Sequence, residues 1–345
     1  MTGFWLMFLL PVWALLAPPL PDEERWVPWA AIGVLFALMI GLRYEVGGDW
    51  GSYLQHFHMA DALPFTQAVR LGDPGHFLVN WVVGRLGGDI YWVNLLYGSL
   101  MMWGTVVFCR RQPWPWLALL VAVPYMLIVV GMGYSRQAVA LGFALLGLSA
   151  LGDQRVRTFV VCIAMGALFH KSAVLLLPVA ALAASRNRTL TVGLVGLTGA
   201  LLYYLLLADS TETLWENYVE AQYHSEGGLI RVAMNVVPAV LFLVFRDRLA
   251  GDAERRLWVC ISLFAIACLP LVPLASTAVD RVALYLIPLQ LFVFARLPLL
   301  AGGDVRVRTL LVAGTVAYYA VVQYVWLHFA THAEYWVPYR FLPFE

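Results

Sequence analysis

Apolar runs of roughly 20 residues recur along the chain, each long enough to cross about 30 Å of hydrocarbon with its backbone bonded internally. Breaks in hydropathy place spans at 2–20, 27–42, 89–109, 114–132, 134–151 and 158–169, then at 172–184, 189–207, 230–245, 257–274, 279–295 and 309–327. The expectation is therefore an all-α polytopic membrane bundle of about twelve transmembrane helices, filling residues 1–345 as a single domain. The stretch 2–20 has no basic n-region, so it reads as a retained helix rather than a signal peptide.

Polar positions then sort into two groups. Arg25, Arg110, Arg111, Arg155, Arg157, Arg186, Arg188, Arg246, Arg248, Arg255, Arg256, Arg296, Arg306 and Arg308 fall in short loops on one side, as cytoplasmic loops do. The other side takes the longer connections, 44–88 and 208–228, and the tail 328–345. With twelve crossings both termini point outward, and the outer side becomes the periplasmic face of a bacterial inner membrane. In 50–57, Trp50, Tyr53, Leu54 and Phe57 share one helical face, which predicts an interfacial helix. Residues 74–86 are too few to span and read as re-entrant or interfacial.

Composition narrows the class. The 345 residues are 62% hydrophobic and 12% charged with a net charge of +1, against about 25% charged in soluble domains. No clustered basic surface suggests nucleic acid. Cys109, Cys162, Cys260 and Cys268 show neither paired nor metal-ligand spacing and read as small core residues. There is no Asp-x-Asp on the outer side, no HExxH and no phosphate loop, so neither metal nor cofactor is expected.

The remaining cations carry the chemical signal. Arg136, Arg231 and Arg281 stand near the outer ends of apolar segments, where a charge at mid-bilayer would cost about 2.5–3.5 kcal/mol. Snorkelling to the headgroups explains any one of them; several at similar depth suit a shared anion, since guanidinium grips phosphate oxygens in pairs. Arg43, Gln137, Lys171 (the only lysine) and Tyr285 join this set. Two bases present themselves, Asp49 after Gly47-Gly48 and His170 beside Lys171, with Asp49 favoured. Helix capping is the ordinary explanation for Asp49 and for Asp73 before Pro74. Tyr53, Asp73 and His76 are further candidates.

Leu42-Arg43 through Gly48-Asp49 to Tyr53, then Asp73-Pro74-Gly75, the helix start Ser135-Arg136-Gln137-Ala138 and the turn Phe169-His170-Lys171-Ser172 together resemble the EpsG-like family of Wzy-type exopolysaccharide polymerases. The resemblance lies mainly in the N-terminal half, with Arg281 and Tyr285 in the other. Gly47-Gly48-Asp49 stands where the family has Gly-Thr-Asp or similar, and Asp73 where it often has Glu; both keep the turn and the carboxylate. The resemblance implies a GT-C type glycosyltransferase that passes a polyprenyl-diphosphate-linked glycan to a lipid-linked repeat unit at the periplasmic face. Its partners would be that donor and acceptor, membrane lipids, a flippase and a chain-length regulator. An O-antigen ligase, a lipid-linked sugar transporter or flippase, and a scaffold for an assembly complex are the alternative readings.

Overall fold

The computed structural model describes residues 1–18, 21, 23–179, 188–204 and 227–345. Their principal helices are α1 (Thr2–Leu16), α2 (Trp26–Gly41), α3 (Trp50–Ala62), α4 (Pro74–Arg85), α5 (Ile90–Arg110), α6 (Pro115–Gly133), α7 (Ser135–Gly152), α8 (Val156–Phe169) and α9 (Arg188–Leu202). The C-terminal half adds α10 (Gly228–Leu249), α11 (Asp252–Cys268), α12 (Ser276–Leu284), α13 (Ile287–Phe294) and α14 (Val305–Phe329).

The chain is a multi-pass, membrane-associated helical protein, but the expectation of about twelve crossings is corrected. Among the described residues five helices are long and apolar enough to span: α5, α6, α7, α10 and α14. The pair α12 and Ile287–Ala301, bent by 44°, makes a sixth if it is one span. Several other hydropathy peaks fall on helices of 14 to 17 residues: α1, α2, α8, α9 and α11. At about 1.5 Å per residue these reach roughly 21–26 Å, short of the hydrocarbon thickness. One more peak opens as a 3₁₀ turn, at Lys171–Leu176, and the peak that holds the end of α11 closes in another, at Leu269–Leu271. Residues 180–184 of the 172–184 span, the ends of the 2–20 and 189–207 spans, Arg186 and all of the 208–228 loop except its last two residues lie outside the described residues.

Helix α6 runs through the centre, with 94% of its apolar window buried. Pro124 can neither donate a backbone hydrogen bond nor fit under the preceding carbonyl, and the helix widens to π geometry over Val123–Val130. Around it pack α1, α5, α13 and α14. Helices α5 and α7 cross at glycine: a Cβ added to Gly104 would lie 2.1 Å from the Gly142 carbonyl oxygen. Such contact through small residues lets two backbones approach where lipid offers no hydrophobic drive.

With five or six helices long enough to span among the described residues, twelve-helix parity no longer decides which end faces outward. The charges still mark two different ends. At one, Arg111 bonds Asp153 at 2.5 Å, Arg155 reaches the same carboxylate at 3.4 Å, and Arg296 approaches Glu254 at 3.3 Å and bonds Gln112. The other end holds the turn at 42–50 and the starts of α7 and α10. The face Trp50, Tyr53, Leu54 and Phe57 of α3 packs on protein, against Ile90, Val93, Val139 and Phe169, rather than on lipid.

Candidate active site

The turn before α3 is built by glycine. Gly47 has φ +113°, and a Cβ there would strike the Met132 carbonyl oxygen at 2.3 Å. The backbone reverses at this point and delivers Asp49 to the first position before α3, yet its carboxylate makes no capping bond to that helix. Asp73 likewise precedes α4 without capping it. By contrast Asp89 and Asp304 do cap their helices, each accepting from two backbone N–H groups. The two carboxylates in question point elsewhere.

Asp73 accepts from Arg136 Nη1 at 2.8 Å and from the Lys171 backbone N–H. This joins the start of α4 to the start of α7 and to the turn after α8. Arg136 also lies over the Tyr53 ring, 5.9 Å from its centroid, and its backbone N–H donates to the Tyr53 hydroxyl at 3.4 Å. The Arg136 Nε is buried without a hydrogen-bond partner. From α7, Gln137 donates to the Arg281 carbonyl at 2.9 Å, fixing the end of α12 beside Arg136.

His170 Nδ1 stands 2.5 Å from Ser172 Oγ and 3.4 Å from the Tyr285 hydroxyl, which lies at the break between α12 and α13. Burial lowers His170 to about 3, and Arg136, Arg281 and Lys171 push the same way. Burial raises the Asp49 carboxyl above its ordinary 3.8, although Arg281 and Arg136 pull it down. Asp73 is also raised by burial, against Arg136 and Lys171. Asp49, Asp73, Arg136, His170, Lys171 and Arg281 therefore share one electrostatic neighbourhood, although they come from five separate stretches of chain.

Arg43 and Arg231 make their bonds outside that group. Arg43 is 1% exposed, and its guanidinium bonds the carbonyls of Ile40 and Val46, Ser135 Oγ and Asn94 Oδ1. It ties α2 to α5 and α7. Arg231 makes a two-pronged bond to Asp280 at 2.5 and 2.7 Å. His76 is wholly buried among Tyr97, 2.8 Å away, and His56, 3.2 Å away. In the sequence Ser172 stands out only as part of the His170 turn, and Asp280, His56 and Tyr97 are not singled out; an acid beside Arg281 in an apolar segment was the available signal for Asp280. Among the described residues no three His, Cys, Asp or Glu side chains group as metal ligands.

Comparison with known protein families matches the EpsG family over residues 26–341. The chain belongs to the EpsG family. The match to this EpsG-family region takes in every residue of the cluster and leaves out α1. No curated protein and no solved structure matches the chain.

Proposed function

We propose that this EpsG-family protein is a glycosyltransferase that lengthens a polysaccharide outside the cytoplasm. It passes a polyprenyl-diphosphate-linked glycan to the sugar hydroxyl of a lipid-linked repeat unit. The observation that carries this reading is Asp49: a carboxylate at a helix start that leaves the helix uncapped and lies in the combined field of Arg136 and Arg281.

In the proposed step the acceptor hydroxyl oxygen attacks the anomeric carbon, and the bond from that carbon to the phosphate oxygen breaks with its electron pair. Arg136 and Arg281, with Lys171, hold the diphosphate as charge gathers on it. Asp49 takes the hydroxyl proton, and burial, by raising its carboxyl, makes it a stronger base than an exposed aspartate. His170, held neutral, serves as a hydrogen-bond partner for a sugar hydroxyl. Arg43, Gln137, Tyr53 and Asp280 act by position.

The arginine-paired end of the bundle faces the cytoplasm in this reading, and the Asp49 end faces the periplasm of the inner membrane. A flippase supplies the lipid-linked unit to that side, and a separate regulator limits chain length.

The test is elongation by purified protein in vesicles, supplied with lipid-linked repeat units extracted from the producing cells. A ladder of products, lost by about 10²-fold or more in Asp49→Asn, is expected. Elongation by Asp49→Asn at the parent rate would remove Asp49 from the mechanism, and a single transfer product in place of a ladder would favour a ligase.

A further inference from the structure

Next to the Asp49 turn, three half-buried aromatic rings that the proposed transfer step leaves unused meet in one surface. Tyr44 and Tyr91 lie nearly parallel, 10° apart with centroids separated by 6.4 Å, and Trp50 meets Tyr91 at 5.6 Å. They come from the strand of chain before Gly47, from the residue after Asp49, and from the first turn of α5.

The edge of this surface is charged. Arg340, from the C-terminal tail, places its guanidinium 4.7 Å from the centre of the Tyr44 ring and bonds the Glu45 carboxylate at 2.5 Å. Both side chains are open to solvent, by 35% and 50%. Glu45 has φ +48°, a left-handed backbone that a non-glycine residue adopts rarely and that tends to appear where a ligand is held. The tail is pinned in place, with the Tyr44 backbone N–H donating to the Arg340 carbonyl at 3.0 Å and Leu342 to the Leu42 carbonyl at 2.9 Å.

We infer that the Tyr44–Trp50–Tyr91 surface is a saccharide subsite that takes a pyranose ring of the glycan chain reaching Asp49. The C–H face of a pyranose is apolar and weakly positive, and it complements the negative face of an aromatic ring. Its equatorial hydroxyls both donate and accept, so a guanidinium beside a carboxylate serves them from one edge. Aromatic residues at a membrane boundary also act as anchors, but anchors need no mutual ring contacts and no ion pair closing over one of them. The subsite deepens the polymer-extension reading and rests on it for the identity of the chain.

The probe is a set of lipid-free, phosphate-free oligosaccharides made by mild acid hydrolysis of the exopolysaccharide of the producing cells. Binding to the detergent-solubilised protein is read by saturation-transfer NMR and by tryptophan fluorescence. Parent and Asp49→Asn should both bind. Tyr44→Ala and Tyr91→Ala should each weaken binding on the order of threefold to tenfold, with Tyr91→Phe within about twofold of parent. Trp92→Ala removes an exposed aromatic one residue further on and should leave binding unchanged.

Tyr44→Leu replaces Tyr44→Ala if the latter loses its monodisperse, folded state. No binding by the parent, or parent-like binding by the Tyr44/Tyr91 double variant, would overturn the subsite. Equal weakening by Trp92→Ala would show an interfacial belt only. Binding that survives while the parent makes no polymer ladder would retire the transferase reading and leave the subsite standing.

Discussion

Trp336 donates its indole N–H to the carbonyl of Ile128, 3.1 Å away across 208 positions of sequence. The carbonyl belongs to the π-helical stretch of α6, where the widened turn changes the pattern of backbone pairing. The ring fills a slot against Gly133 and Gly48; a Cβ on Gly133 would fall 2.1 Å from it. One residue earlier, the Tyr335 carbonyl accepts from Gly47, so the tail grips the turn that presents Asp49.

Removing that ring should therefore cost stability and loosen the Asp49 turn together. Trp336→Ala is expected to lose about 3–5 kcal/mol as a buried aromatic truncation. Trp336→Phe keeps much of the ring but loses the indole bond to the Ile128 carbonyl, which still accepts from the Gly131 N–H, at a cost of about 0.5–1.5 kcal/mol. Thermal unfolding in detergent measures both, and an unchanged midpoint for Trp336→Ala would contradict the role assigned to the tail.

Arg43 gives a second, separable prediction. Its fork reaches two backbone carbonyls and two side chains at once in a site closed to water, and a lysine ammonium cannot match those directions. Arg43→Lys should destabilise the fold on the order of 3 kcal/mol. Protein that remains folded at low temperature should still bind the donor normally. Loss of donor binding with unchanged thermal stability would return Arg43 to the anion site.

These two residues show where the sequence was legible and where it was not. Polar groups in apolar surroundings stand out on reading the chain, so Asp49, Asp73, Arg136, His170, Lys171 and Arg281 were named from it, and the structure places them near one another. Which acceptors a cation meets depends on neighbours distant in sequence, and nothing local distinguishes Arg43, held by carbonyls, from Arg136, held by Asp73. Hydropathy adds up composition but does not see where the i to i+4 ladder stops, and short helices and 3₁₀ turns therefore passed as full spans. The apolar face of α3 has the right period for lipid, but period alone does not tell lipid from the protein core that Tyr53 and Phe57 actually meet.

The α5–α7 crossing should be intolerant of a single methyl group. A Cβ on Gly104 would sit 2.1 Å from the Gly142 carbonyl oxygen, and one on Gly142 would sit 2.8 Å from that of Leu100. Both obstacles are backbone, so the helices themselves must separate. Gly104→Ala is expected to cost about 1–3 kcal/mol. In α9, Gly196 has nothing within 4 Å of an added Cβ, and Gly196→Ala should instead gain about 0.5–1 kcal/mol from helix propensity. Opposite shifts in the unfolding midpoint are the check.

The pH dependence of elongation separates the two candidate bases. A base must be deprotonated to work, so activity should fall as pH drops through the pKa of the acting group. If Asp49 acts, burial places that acid limb above the ordinary carboxylate value of 3.8. If His170 acts, burial and three neighbouring cations place the limb at about 3, where the ring first gains its proton. A histidine that holds a proton so weakly is also a poor acceptor for one from a sugar hydroxyl. His170→Gln should therefore lower the plateau rate while leaving the limb in place, whereas Asp49→Asn should remove both limb and rate. Rate against pH for parent and His170→Gln is the measurement, on material whose folded state is verified at each pH. A limb that moves in His170→Gln while Asp49→Asn keeps its rate would transfer the base role to the histidine.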